Sequence, residues 1–191
     1  MPKIKIDPFC ALWLIFILYS MRELIIPLAL SILLHELGHI IASVILKVKI
    51  KCLTVSLLGA RLEISDEIPY LHEMLISLAG PMAGFLAFIL TINTATQSQT
   101  LLHFCVISLA LSIFNMFPIS TLDGGRVLRC LLCCLCRLDT AEKIMRILTF
   151  FTLFFFWLIS TYIMIKISSG LSGFVFCTFF FLKSFILNEK N

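Results

Sequence analysis

Leu33-Leu34-His35-Glu36-Leu37-Gly38-His39-Ile40-Ile41 sets two imidazoles and a carboxylate inside an apolar run from Leu24 to Leu46. On a helix His35 and His39 lie one turn apart on one face, so both can reach a single metal ion. Glu36 is rotated about 100° from His35, which suits a group that handles an attacking water without ligating the metal. Ionisable side chains at membrane depth are expensive, and the default reading of one is a functional site. The simpler alternative has the two histidines hydrogen-bonding across helices while Glu36 pairs with an arginine.

Outward from this stretch, the chain is apolar almost throughout. Of its 191 residues 60% are hydrophobic and 14% charged, with a mean hydropathy of +1.07. A soluble domain keeps about a quarter of its residues charged, so the composition is that of an integral membrane protein in contact with the lipid bilayer. The net charge of +4 is small. Basic residues flank apolar runs and do not interleave with aromatics, which excludes a nucleic-acid surface. Residues 1–20 have lysines ahead of an apolar stretch, but no small-x-small cleavage site follows, so the segment is expected to be retained. The eight cysteines lie in apolar runs or beside basic residues, which fits a reducing side and not a disulfide framework.

Six apolar stretches can be drawn, at about 9–20, 24–46, 74–92, 101–117, 147–165 and 171–187. A crossing helix needs about 20 residues; the first stretch is short for this, and Lys183 interrupts the last. If all six cross, 13 of the 15 Lys and Arg fall on the N-terminal side, leaving Arg22 and Lys166 opposite. The positive-inside rule then makes the N-terminus cytoplasmic. The link 93–100 carries no charge, as expected of an outer loop. The expected fold is a membrane all-α, polytopic bundle of about six transmembrane helices. It forms a single domain over 1–191, with neither a PDZ nor a CBS domain.

Between Lys47 and Pro69 the period changes. Lys47-Val48-Lys49-Ile50-Lys51-Cys52 alternates, and Arg61-Leu62-Glu63-Ile64-Ser65 alternates again beyond Gly59-Ala60. This predicts a small cytoplasmic-side β-hairpin after the second stretch. It is either a linker ribbon or an edge strand able to pair with an extended peptide.

A catalytic zinc site needs a third protein ligand and an open position for water. The candidate is Asp123, in Phe114-Asn115-Met116-Phe117-Pro118-Ile119-Ser120-Thr121-Leu122-Asp123-Gly124-Gly125-Arg126. Pro118 should end the helix before it, and Gly124-Gly125 allow a tight backbone path directly after the carboxylate. Asp123 could equally be the cap of the following helix.

Together, His35-Glu36-Leu37-Gly38-His39 and Asn115-x-x-Pro118-x-x-x-Leu122-Asp123-Gly124-Gly125 resemble the site-2 protease family of intramembrane zinc metalloproteases. Ala79-Gly80-Pro81 looks like the family's motif on the third helix. The order of segments is most similar to the stage IV sporulation protein FB branch. The resemblance implies Zn2+ held by His35, His39 and Asp123, with Glu36 as general base. Asn115 would lie near the substrate and donate a hydrogen bond to the peptide or its oxyanion. It also implies a bacterial cytoplasmic membrane and a membrane-associated protein substrate, such as a sporulation sigma-factor precursor or an anti-sigma factor. Regulatory membrane partners are not specified by it. A buried site would need a polar path from the cytoplasm, since His35 lies about 16 Å along the helix from Leu46.

The same ligands could serve a non-enzymatic membrane zinc carrier or sensor, but transport has no use for a carboxylate such as Glu36 beside the first histidine. Cys130, Cys133, Cys134 and Cys136 could form a second metal site. The simpler reading is small apolar residues on an amphipathic helix, because a continuous helix points Cys136 away from Cys130 and Cys133. His72 and His103 sit near stretch ends and read as interfacial, and the aromatic run 150–157 as packed or lipid-facing.

Overall fold

The computed structural model describes residues 3–6, 22–48, 50–56, 59–64, 68–166 and 178. Its helices are α1 (Ile25–Ile45), α2 (Tyr70–Ile92), α3 (Gln99–Asn115), α4 (Asp123–Leu135) and α5 (Leu138–Lys166). Its strands are β1 (Lys3–Ile6), β2 (Ile50–Ser56) and β3 (Gly59–Ile64). α2 is the centre of the helical part: it packs on α1, α3 and α4, while α1 also meets α3 and α4 meets α5.

The helices are inside out relative to those of a soluble protein. On α1 the buried residues are Pro27, Ser31, His35, His39 and Ser43, one every four positions. Leu30, Leu33, Ile41 and Val44 face outward instead. In hydrocarbon there is no hydrophobic force between helices, so small and polar side chains make the contacts. Ser31 Oγ hydrogen-bonds Ser108 Oγ at 2.9 Å, joining α1 to α3. Ser31 and Ser43 also donate to the carbonyls four residues back, both at 2.8 Å, which keeps their hydroxyls satisfied without water. A Cβ on Gly38 would press on the carbonyl oxygen of Ala79 and sit 2.9 Å from the Ala83 Cβ, so α1 and α2 approach this closely only because Gly38 has none.

α1 is capped at Leu46 and followed by Lys47, a non-glycine residue with φ of 55°. The Val48 N–H donates to Ser43 O at 2.9 Å, the closing bond of a helix whose next residue turns left-handed. β2 then pairs antiparallel with β3, with Ser56 opposite Gly59, and parallel with β1, with Lys3 opposite Cys52.

The expected six-helix all-α bundle with its small hairpin is corrected by this architecture. Among the described residues there are five α-helices, and three, Arg22–Ile45 (counting the 3-10 turn Arg22–Leu24 ahead of α1), Tyr70–Ile92 and Leu138–Lys166, are long and apolar enough to cross a membrane. The stretches at 9–20 and 171–187 lie outside the described residues, apart from Thr178. The apolar stretch 101–117 yields a helix of 17 residues, about 25 Å long, because the chain turns away from Met116 onward. α4 occupies what hydropathy reads as a connection, and α5 starts nine residues before the stretch drawn at 147. Its first turns are amphipathic, with Ala141 and Met145 buried. The strands after α1 are likewise no self-contained hairpin, since β1 pairs with β2 and completes a three-stranded mixed sheet in the order β1-β2-β3.

The segment between α3 and α4 is fixed from outside. Ile119 and Leu122 are buried with Leu153 of α5, and Phe114, Phe117 and Phe156 close around them. The rings of Phe117 and Phe156 meet edge to face with centroids 4.7 Å apart, a favoured aromatic geometry. Thr149 Oγ1, itself buried, accepts the Ser120 N–H at 3.1 Å. Thr149→Val removes this acceptor at nearly constant shape and leaves a donor unmet. The expected cost is roughly 1–3 kcal/mol, read as a lower thermal midpoint in detergent. An unchanged midpoint would show that Thr149 does not hold this segment.

Candidate metal centre

His35 and His39 project from one face of α1, with ring centroids 4.9 Å apart and planes near perpendicular. The position of His39 is set by its outer nitrogen, since Nδ1 lies 2.7 Å from Ile76 O on α2. A carbonyl oxygen can only accept, so Nδ1 carries the hydrogen and Nε2 presents a lone pair. His35 Nδ1 is buried and makes no hydrogen bond among the described residues.

Asp123 is the first residue of α4 and does not cap it: the N-cap position is Leu122, and no side-chain cap bond is made. Its Oδ2 lies 3.0 Å from His35 Nε2 and 3.3 Å from His39 Nε2, and the two Nε2 atoms are 3.2 Å apart. All three side chains are buried. Gly124 and Gly125 explain the carboxylate's position. A Cβ on the first would press on the Met116 carbonyl, and one on the second on the Ile119 carbonyl. The glycines therefore serve close approach of the preceding loop, which sets the start of α4 so that Asp123 reaches the two histidines of α1.

Two imidazole nitrogens and a carboxylate oxygen thus converge at spacings just over 3 Å. Donors held at about 2.0–2.2 Å from one ion have mutual distances of this order. His39 Nε2 and Asp123 Oδ2 are both acceptors, and a cation satisfies facing acceptors where a neutral neighbour would not. Among the described residues this is the group of three or more His, Cys, Asp or Glu side chains able to hold a metal ion.

Glu36 is half-buried, one residue along α1, and stands outside the group of three. Asn115 is buried at the end of α3, but its Nδ2 donates to Leu111 O of its own helix at 2.9 Å. The cysteines do not gather. Cys130 is buried on α4, Cys134 is exposed, and Cys136 lies past the end of the helix with Sγ donating to Leu132 O. Burial, with the charge and hydrogen bond of Glu73, pushes the Cys130 thiol up to about 12, so it is neither a ready ligand nor a nucleophile.

Residue patterning did not single out Gly80 of α2 for a role at the site. A Cβ there would press on His39 Nε2 and Cε1 and lie 2.9 Å from His35 Nε2. Pro81 follows it inside the helix and has no N–H for the Ser77 carbonyl. The signal was Ala79-Gly80-Pro81, marked in the sequence by resemblance alone and given no role at the site.

The fold is that of an integral membrane protein with several long apolar helices, and its described residues bring two histidines and one carboxylate into a buried group able to hold a metal ion. Residues 91–159 match the profile of Peptidase family M50. A zinc metalloprotease of Methanocaldococcus jannaschii is 34% identical over 119 residues, 57% of this chain and 34% of that protein. Stage IV sporulation protein FB of Bacillus subtilis is 30% identical over 135 residues, 66% of this chain and 46% of that protein. The chain thus spans less than half the length of these curated relatives. The solved site-2 protease from M. jannaschii superposes with a TM-score of 0.73 over 95% of this chain and 88% of that one, at 24% identity, and so shares the fold. Over residues 91–159 the chain resembles peptidase family M50, the site-2 protease group, and zinc is the metal that the names of these similar proteins and its own donor set agree on.

Proposed function

We propose that the protein is an intramembrane zinc endopeptidase that hydrolyses a peptide bond of a membrane-associated protein. The observation that carries this reading is the buried convergence of His35 Nε2, His39 Nε2 and Asp123 Oδ2 within 3.3 Å of one another. These three residues would hold the ion. Zinc in such a site supplies Lewis acidity, polarising a carbonyl and lowering the pKa of water. Glu36, next to His35 and outside the ligand set, takes a proton from the attacking water and passes it to the leaving amine nitrogen. Ile76 O keeps His39 in the tautomer that leaves Nε2 bare. Asn115 is assigned to the substrate side of the site, where it would leave Leu111 O to donate to the peptide.

The proposed substrate is a membrane-tethered pro-protein, such as a sporulation sigma-factor precursor or an anti-sigma factor. The similarity to a sporulation protein supports it. The reading is tested by co-expressing the chain with candidate tethered pro-proteins and scoring a new fragment. The fragment should vanish when the purified reaction is treated with a zinc chelator and return with added Zn2+. A fragment indifferent to chelation would overturn the reading.

The orientation proposed is that of a bacterial cytoplasmic membrane protein with Lys47, Arg61 and Arg126 on the cytoplasmic side. The basic-residue bias supports it. Reporter fusions at Gly59 and Gly125 are expected to read as cytoplasmic and a fusion at Gln97 as external. A cytoplasmic signal at Gln97 would show that α2 and α3 do not both cross.

A further inference from the structure

We propose that Gly80 is a positioning residue of the metal centre, kept without a side chain so that the Nε2 faces of His35 and His39 stay open to an ion. This rests on the proposed function, from which it takes the identity of the ligands. The glycine sits at the middle of α2, buried, directly beneath the two rings. A β-carbon at this position would press on His39 Nε2 and Cε1 and lie 2.9 Å from His35 Nε2. Zinc stands about 2.0–2.1 Å from an imidazole nitrogen, so that carbon would occupy the shell that the ion or its open ligand position needs.

The neighbours cannot easily give way. The His39 ring is buried and tied by Nδ1 to Ile76 O at 2.7 Å, one turn before Gly80 on the same helix. Rotating the ring away would break that bond. Moving α2 away would open the close-packed seam at Gly38, where the Ala79 carbonyl rests against α1. A methyl group at position 80 therefore competes with the metal and not merely with loose packing.

Gly84, one turn further along α2, provides the control. A Cβ there would press on Ser112 Oγ, a rotatable hydroxyl on α3, and touches no imidazole. The experiment strips the purified full chain of metal in detergent and titrates it with Zn2+ against a chromophoric chelator. Co2+ absorption is recorded alongside. For Gly80→Ala the apparent zinc Kd should rise about 100-fold or more, beyond the roughly 10- to 100-fold typical of a lost outer hydrogen bond. The tetrahedral Co2+ bands should disappear, while Gly84→Ala matches the wild type. Gly80→Ala binding within about threefold of wild type would overturn the inference on Gly80 and leave the proposed ligands standing. A wild-type chain that fails to bind Zn2+ would overturn the proposed function and this inference with it. Should Gly80→Ala not fold, the double variant His39→Ala/Gly80→Ala decides. Its folding as well as His39→Ala alone would place the clash on the imidazole and support the role. Failure of the double variant where His39→Ala folds would overturn it.

Discussion

Glu36→Gln protein should retain its zinc and lose proteolysis by roughly 10²- to 10⁴-fold, the usual worth of general-base catalysis. In activation free energy that is about 3–5 kcal/mol. The substitution keeps length and shape and removes only the ability to take up a proton at neutral pH. Glu36 lies outside the group of three donors around the metal position, so elemental analysis should find the metal content unchanged. The two readouts divide the possibilities. Near-normal cleavage would remove Glu36 from the chemistry, and lost zinc would make it a ligand in place of a base.

Asp123→Asn should lower metal retention and leave little cleavage while the protein stays monodisperse in detergent. Asn caps helices about as well as Asp, and in any case no cap bond is made by Asp123. The helix start is held instead by the two glycines and by the clamp of Ile119 and Leu122 on Leu153. What the change removes is the anionic donor from a site whose other two donors are imidazoles. Affinity should fall, and any residual ion would lack the fixed geometry that the carboxylate gives it. Purified variant should therefore carry substoichiometric zinc. Full occupancy with normal cleavage would exclude Asp123 as a ligand.

Which residues to suspect was legible from charge at depth alone. His35, Glu36 and His39 are conspicuous because nothing in an apolar run requires them, and Asp123 because it precedes two glycines. How they meet was not legible. The convergence depends on a loop that turns back at Met116 and on aromatic contacts from α5, both of which are long-range. Hydropathy finds α1 and α2 because their composition is uniform. It misses α4, an amphipathic helix whose Arg126 and Arg129 lie off its apolar face and lower the average hydropathy, and it starts α5 late for the same reason. β1 is four residues long, too short for any alternation to announce it. The reading of Asn115 came from resemblance, and the structure shows its amide bound to its own helix.

His35 and Asp123 are 88 positions apart in the chain, so whatever binds both also acts as a cross-link between α1 and α4. In a free polymer, closing a loop of that size is worth about 4–5 kcal/mol. Helices already confined by a bilayer have surrendered much of that freedom before the link forms. The tie therefore acts less on whether the helices exist than on how they are set against one another. An ion there would thus add a fastener between helices that the glycines and the Ile119–Leu122 clamp already align.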